Sequence, residues 1–147
     1  MTEQMFHEHT DETMFNALMN SSLETAWGIR QEGEIIPLWW VIDKDGRAQP
    51  AMSFADKPET AVAVAKIVSD AQARMVVHVS DAWIHDFRDD SDKEAICVMG
   101  RMRGRDLVTR TRIYEPDARG FKIIEDRRDD ESDWRSGNFA PVWELLD

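Results

Sequence analysis

Apolar and polar positions follow two different periods along this chain, and the switches between them mark its elements. Phe15, Leu18, Ser22, Ala26 and Ile29 fall on one stripe at helical spacing, which predicts a helix over about Asp11–Glu32. Asp11 and Glu12 suit the positive end of its dipole, and Gly33 suits a left-handed C-cap. Residues 1–10 have no clear period and read as a loose N-terminal arm. Leu38-Trp39-Trp40-Val41-Ile42 is aromatic and β-branched, and Asp43-Lys44-Asp45-Gly46 after it is a turn signal. The pair predicts a hairpin whose second strand runs through Ala51-Met52-Ser53-Phe54, with Pro50 marking an edge or a strand start.

Asp56-Lys57-Pro58-Glu59 opens a second helix in the manner of a capping box. Its apolar face is Ala61, Val64, Ala65, Val68 and Ala71, small enough for close approach to a sheet. Met75-Val76-Val77-His78-Val79 is apolar on both faces and reads as a central strand, continuing into Ser80-Asp81-Ala82-Trp83-Ile84. Residues 86–94 read as a charged loop, and strands follow at about 95–102, 107–114 and 121–126. Arg103-Gly104-Arg105-Asp106 and Pro116-Asp117-Ala118-Arg119-Gly120 are the turns between them. The order α-β-β-α-β-β-β-β predicts an α+β fold. It has a single, mainly antiparallel sheet of about five to six strands, with two helices on one face. Residues 1–147 form one domain on this reading. Residues 128–147 are an acidic and aromatic C-terminal segment, with Pro141 opening a short helix or turn.

Charge changes the picture more than composition does. The net charge is −11, but residues 96–114 carry five arginines against Asp106 alone. So acidic a chain is a poor direct binder of nucleic acid, because phosphate neutralisation needs a basic surface. Cys97 is the one cysteine, so neither an intramolecular disulfide nor a cysteine-based zinc cage can form. Within Ala95-Ile96-Cys97-Val98-Met99 it reads as a small buried hydrophobe. No apolar stretch approaches the ~20 residues of a membrane span, and the first residues lack the basic-then-apolar order of a signal peptide. A cytoplasmic setting without membrane partners is expected.

The central piece runs from a helix into Ala73-Arg74-Met75-Val76-Val77-His78-Val79-Ser80-Asp81-Ala82-Trp83, then into a charged loop and a strand meander. Over roughly residues 34–127 this resembles a group of small uncharacterised bacterial and phage proteins. The resemblance implies the α+β fold and a bacterial or phage origin. It carries no activity and no site residues.

Four groups of side chains are candidates for chemistry. If the turn centres on Gly104-Arg105, Arg101 lies opposite Val108, and Arg101, Arg103, Arg110 and Arg112 share one sheet face. Like charges at close cross-strand positions repel, so that cluster wants an anion such as a phosphate, nucleotide or carboxylate. The competing expectation is internal pairing, with Glu125, Asp126 and the acidic tail as partners. A one-residue change of register would split the cluster between faces. His78 and Asp81, with Ser80 and His85 nearby, are the candidates for a general base and its carboxylate at a strand end. No nucleophile elbow, zinc-binding helix or phosphate-binding loop accompanies them.

His7-Glu8-His9 with Asp11 has the residue types of a metal site, yet neighbouring side chains on a flexible arm chelate weakly. A solvated terminus is the expectation, with no metal and no cofactor. Trp39, Trp134 and Trp143 are the candidates for a partner-binding surface. Because Trp39 and Trp40 are consecutive in a strand they point to opposite faces. One belongs under a helix, and the other is covered by the C-terminal segment, by a second copy in a homodimer, or by a partner. The tail itself, with Trp134, Phe139, Trp143, Leu145 and Leu146, docks on its own sheet or into a basic-rimmed groove of another protein.

The reading that follows is a non-catalytic binding or interaction protein. Its acidic surface is steered toward a protein partner with a basic surface. The alternatives are a binder of a small anion through the arginine hairpin, and a small hydrolase or lyase using His78 and Asp81.

Overall fold

The computed structural model describes residues 3–52, 58–129, 137 and 139–147, and of residues 3–9, 52 and 58 the backbone alone. Its elements are α1 (Glu3–Glu32), β1 (Leu38–Ile42), β2 (Ala48–Met52), α2 (Pro58–Ala71), β3 (Met75–Asp86), β4 (Ser91–Met102), β5 (Val108–Asp117), β6 (Gly120–Asp129) and α3 (Ala140–Trp143). A 3₁₀ turn over Glu144–Leu146 follows α3. The six strands form one sheet in the order β2-β1-β3-β4-β5-β6, with every neighbouring pair antiparallel. The α+β class, the single antiparallel sheet and the element order agree with the sequence expectation.

The placement of the helices does not. β2 and β3 both run antiparallel to β1, so the chain must cross one face of the sheet between them. α2 makes that crossing, packing Val64 and Val68 against Trp39 and Val41. α1 packs Phe15, Met19, Leu23 and Ala26 on the other face, against Met75, Val77, Val79, Ile96 and Val98. Two helices on one face is therefore corrected to one long helix on each side of the central strand. The cause is visible in β3: Met75–Val79 is buried on both faces, so each face needs its own cover. Burial of each large side chain there is worth roughly 1.5–3 kcal/mol.

α1 also begins earlier than expected, at Glu3, so the arm assigned to residues 1–10 is helical from that residue on. Between Glu3 and Trp27 the sequence has no glycine or proline, and adding residues to an existing helix is far easier than starting one. At the other end the Gly33 amide donates to Ile29 O at 2.9 Å, and Gly33 is not among the residues with positive φ. Asp56 and Lys57 of the expected capping box and Ser53-Phe54 of the partner strand lie outside the described residues; α2 opens at Pro58, with Glu59 in its first turn.

Two glycines set the packing and a turn. A Cβ on Gly100 would lie 2.6 Å from Met19 Sδ and 2.8 Å from Phe15 Cε1, so its hydrogen lets α1 approach β4. Gly46 has φ +83° in the β1–β2 turn, where Asp43 Oδ1 accepts from the Asp45 and Arg47 amides at 2.9 Å each. The expected loop 86–94 is mostly strand. β3 and β4 pair out to Asp86↔Ser91, and Asp90 turns the chain with φ 54°. Ion pairs along the hairpin let a charged sequence hold an extended conformation. The expected strand ends near 114 and 121–126 likewise lengthen, leaving a two-residue turn at Ala118-Arg119.

Candidate interaction surface

The arginine cluster does not assemble. The observed register is Gly100↔Val108 and Val98↔Arg110, one residue away from the expected pairing, so Arg101 faces α3 while Arg110 and Arg112 face α1. Arg101 donates to the Trp143 and Arg105 carbonyls at 2.7 Å each and pairs with Asp147 at 2.7 Å. Arg103 donates to Ala73 O from two nitrogens, at 3.0 and 2.8 Å, and to Leu145 O at 3.1 Å. These two side chains clamp the C-terminal segment onto the sheet. Arg112 is buried between Asp126 and Glu24, each at 2.8 Å. The hydrogen bond to Asp126 raises its pKa most; burial opposes this and Glu24 adds to it. Arg110 stands directly opposite Arg128, and the two line a pocket of about 100 Å³ with Asn16 and Asn20 of α1. Arg128 belongs to that pair and was missed because it lies outside the basic stretch 96–114.

His78 and Asp81 do not meet, because an odd separation along a strand sends them to opposite faces. His78 is buried; its Nδ1 lies 3.2 Å from Leu38 O and its ring stacks on Trp39 at 3.9 Å. Asp81 is exposed on the α1 face. Trp39 and Trp143 are not available to a partner: both are fully buried, 5.4 Å apart, with Phe139 and Leu146 in the same cluster. The self-docked reading of the tail therefore describes residues 139–147. Trp134 lies outside the described residues, as do the side chains of His7, Glu8 and His9. Among the described residues no group of three His, Cys, Asp or Glu side chains is arranged to hold a metal. Burial pushes the Cys97 thiol pKa up, against a smaller opposing effect of its hydrogen bond with Thr111.

What the fold does present is the outer half of the β3–β4 hairpin. Trp83 is 70% exposed and Phe87 88% exposed, the two most exposed large apolar side chains among the described residues. Residues 81–94 hold six acids against Arg88 and Lys93. Trp83 pairs across the ladder with Glu94, and Glu94 with Tyr114, so aromatic and acid alternate along one row of the sheet. This row borders a cleft of about 440 Å³ that Arg30, Glu115 and Phe121 also line. Arg30 reaches it from the last turn of α1, donating to Tyr114 Oη at 2.9 Å and to Glu94 at 3.0 Å. Its guanidinium lies 4.0 Å from the centre of the Phe121 ring. Burial works against the Arg30 charge, and the bonds to Tyr114 and Glu94 outweigh it, raising its pKa.

The tip is organised by its own charges. Asp86 is held down to about 2 by the Arg88 guanidinium and amide, with Lys93 adding to the effect. His85 lies 2.9 Å from Asp92 and 3.1 Å from Asp90, and the hydrogen bond to Asp92 raises its pKa most. The strand itself was legible as far as Ile84. The cleft was not, because Arg30, Glu94, Tyr114 and Phe121 are brought together from four separate elements. Among the described residues no helix is long and apolar enough to cross a membrane. Comparison with family models, with curated proteins and with solved structures finds no match to this chain.

Proposed function

We propose that this is a non-catalytic interaction protein, of bacterial or phage origin and acting in the cytoplasm, that engages a protein partner with a basic surface. The observation carrying this reading is the exposure of Trp83 and Phe87 on a hairpin with six acids against two bases. Large exposed aromatics on a soluble surface act as anchors in interfaces, and Trp paired with Arg across an interface is a frequent hot spot. An arginine or lysine of the partner stacks on Trp83 and meets Glu94, Asp92 and Glu115 in the cleft. Two copies of this hairpin repel each other, so a homodimer through this face is disfavoured. The test is a photo-crosslinker placed beside Trp83, with partner capture compared at low and high salt. Capture should weaken with salt and be lost in a Trp83→Ala/Phe87→Ser variant that unfolds at the wild-type temperature. Equal capture by that variant rejects the surface.

Small-anion binding is a second reading, supported by the direct Arg110–Arg128 pairing over Asn16 and Asn20. Arginines opposite each other in a ladder place like charges across it, and guanidinium groups suit an oxyanion. Phosphate at 100 times its dissociation constant should stabilise the protein by about 2.7 kcal/mol, and Arg110→Gln should remove that gain. An equal gain in the variant sinks this reading.

A further inference from the structure

At one end of the sheet α1, the link from α2 into β3, the β4–β5 turn and the C-terminal residues come together. The Arg103 amide donates to Arg74 O at 2.9 Å, the Gly104 amide to Leu146 O at 2.7 Å and the Arg105 amide to Met102 O at 3.0 Å. Gly104 has φ +73°, which closes the turn between two arginines. A pocket of about 150 Å³ results, lined by Asp11, Arg74, Met102, Arg103 and Arg105. Main-chain bonds on both sides of the turn fix where these side chains start, so the pocket stands without a ligand.

Its charges do not cancel. Arg74 pairs with Asp11 at 3.3 Å. Arg103 uses three nitrogens on the main-chain carbonyls of Ala73 and Leu145 and has no carboxylate partner among the described residues. A guanidinium carries five N–H donors, so Arg103 keeps donors for a ligand while its other bonds hold it still. Arg105 is exposed, and among the described residues its side chain makes no hydrogen bond or ion pair. Three guanidinium groups thus line the pocket with one carboxylate, an excess of two positive charges in a chain whose net charge is −11.

That excess selects the ligand. A phosphate monoester carries close to two negative charges at neutral pH and three acceptor oxygens, which guanidinium groups bind in pairs. A phosphodiester carries one charge, and a nucleic acid brings a row of them against an acidic chain. The pocket has the volume of a cavity that holds one benzene ring, which admits a phosphoryl group and leaves the rest of the ligand outside. We propose that this pocket binds the dianionic phosphoryl group of a small phosphate monoester, held by Arg74, Arg103 and Arg105. It shares no residue with the hairpin surface or with the Arg110–Arg128 pocket, and rests on neither.

Methyl phosphate is a suitable probe, followed by amide and arginine Nε–H NMR of the full chain at constant ionic strength. Titration should move the signals of Arg103, Gly104 and Arg105 to a saturable endpoint. Dimethyl phosphate, with one charge, should bind about tenfold more weakly. Arg105 has no side-chain bond to lose, so Arg105→Gln should weaken binding about tenfold at an unchanged unfolding temperature. Asp11→Asn removes the carboxylate that competes for Arg74 and should tighten binding by about threefold, which loss of a merely structural pair would not do. Three outcomes overturn the site: no saturable shift at residues 103–105, equal affinity in Arg105→Gln, or binding in Asp11→Asn that is no tighter. Shifts confined to Arg110 and Arg128 belong to the other pocket and remove this one. Equal affinity for dimethyl phosphate overturns the assigned ligand class.

Discussion

Met75–Val79 and Asp81–Asp86 belong to the same strand, yet the first five residues are all buried while Asp81–His85 alternates between exposed and half-buried side chains. The inner half lies between α1 and the α2–α3 layer, and its neighbours are Trp39, Val41 and Trp143 on one side and Met19, Ile96 and Val98 on the other. The outer half pairs with β4 alone and is held by Arg88–Asp86, Lys93–Asp89 and His85–Asp92 contacts, in which the Asp86 and Lys93 side chains are largely buried and their partners exposed. On the proposed function, stability and recognition are separated along one strand. The inner half can change little without unfolding the protein, and the outer half is free to carry exposed aromatics because folding does not depend on them.

That contrast predicts a graded response to substitution. The largest effect is expected in the α2–α3 layer. Trp143→Ala removes a side chain 1% exposed and should destabilise by about 3–5 kcal/mol, read from urea unfolding. Gly100→Ala pushes a methyl into Met19 and Phe15 and should cost about 1–3 kcal/mol by the same measurement. A loss below half a kilocalorie there would show that α1 sits more loosely on β4 than described. Gly46→Ala forces a left-handed φ on alanine and should cost about 1 kcal/mol. Trp83→Ala belongs to the outer half and should change stability by no more than about 0.5 kcal/mol, while reducing partner capture.

The smallest effects should be local and pH-dependent, seen in amide exchange or NMR of residues 84–92 rather than in global unfolding. The Asp86 pKa lies below its ordinary value, so its contribution is present above the ordinary carboxylate range and is lost as pH falls toward about 2. His85 is raised, so its contribution is complete below its ordinary value of 6.5 and is lost as pH rises through the folded value. The hairpin should therefore loosen at both ends of this window. Asp86→Asn should shrink the acidic limb to the part that Asp89, held down by its hydrogen bond with Lys93, supplies, and an unchanged acidic limb in that variant would remove Asp86 from the account.

Much of this architecture was already written in local patterns. The β1 strand and its Asp43–Gly46 turn, the small-residue face of α2, the both-faced burial of Met75–Val79 and the order of the meander all depend on neighbours within a few residues. Side-chain period and turn chemistry report directly on such short-range geometry. Three features depended on long-range geometry instead. α2 lies opposite α1 because β2 and β3 flank β1 and run in the same direction as each other, which obliges a crossing, and it passes over the face that α1 does not use. The arginines separate because a one-residue difference in the β4–β5 register exchanges every side chain between faces. The cleft beside Trp83 joins residues far apart in the chain, and only the packed layers bring them within reach. Sequence period thus determined which residues face the same way within each element. Tertiary structure decided which elements share a face, because that is set by strand order and crossover rather than by any local preference.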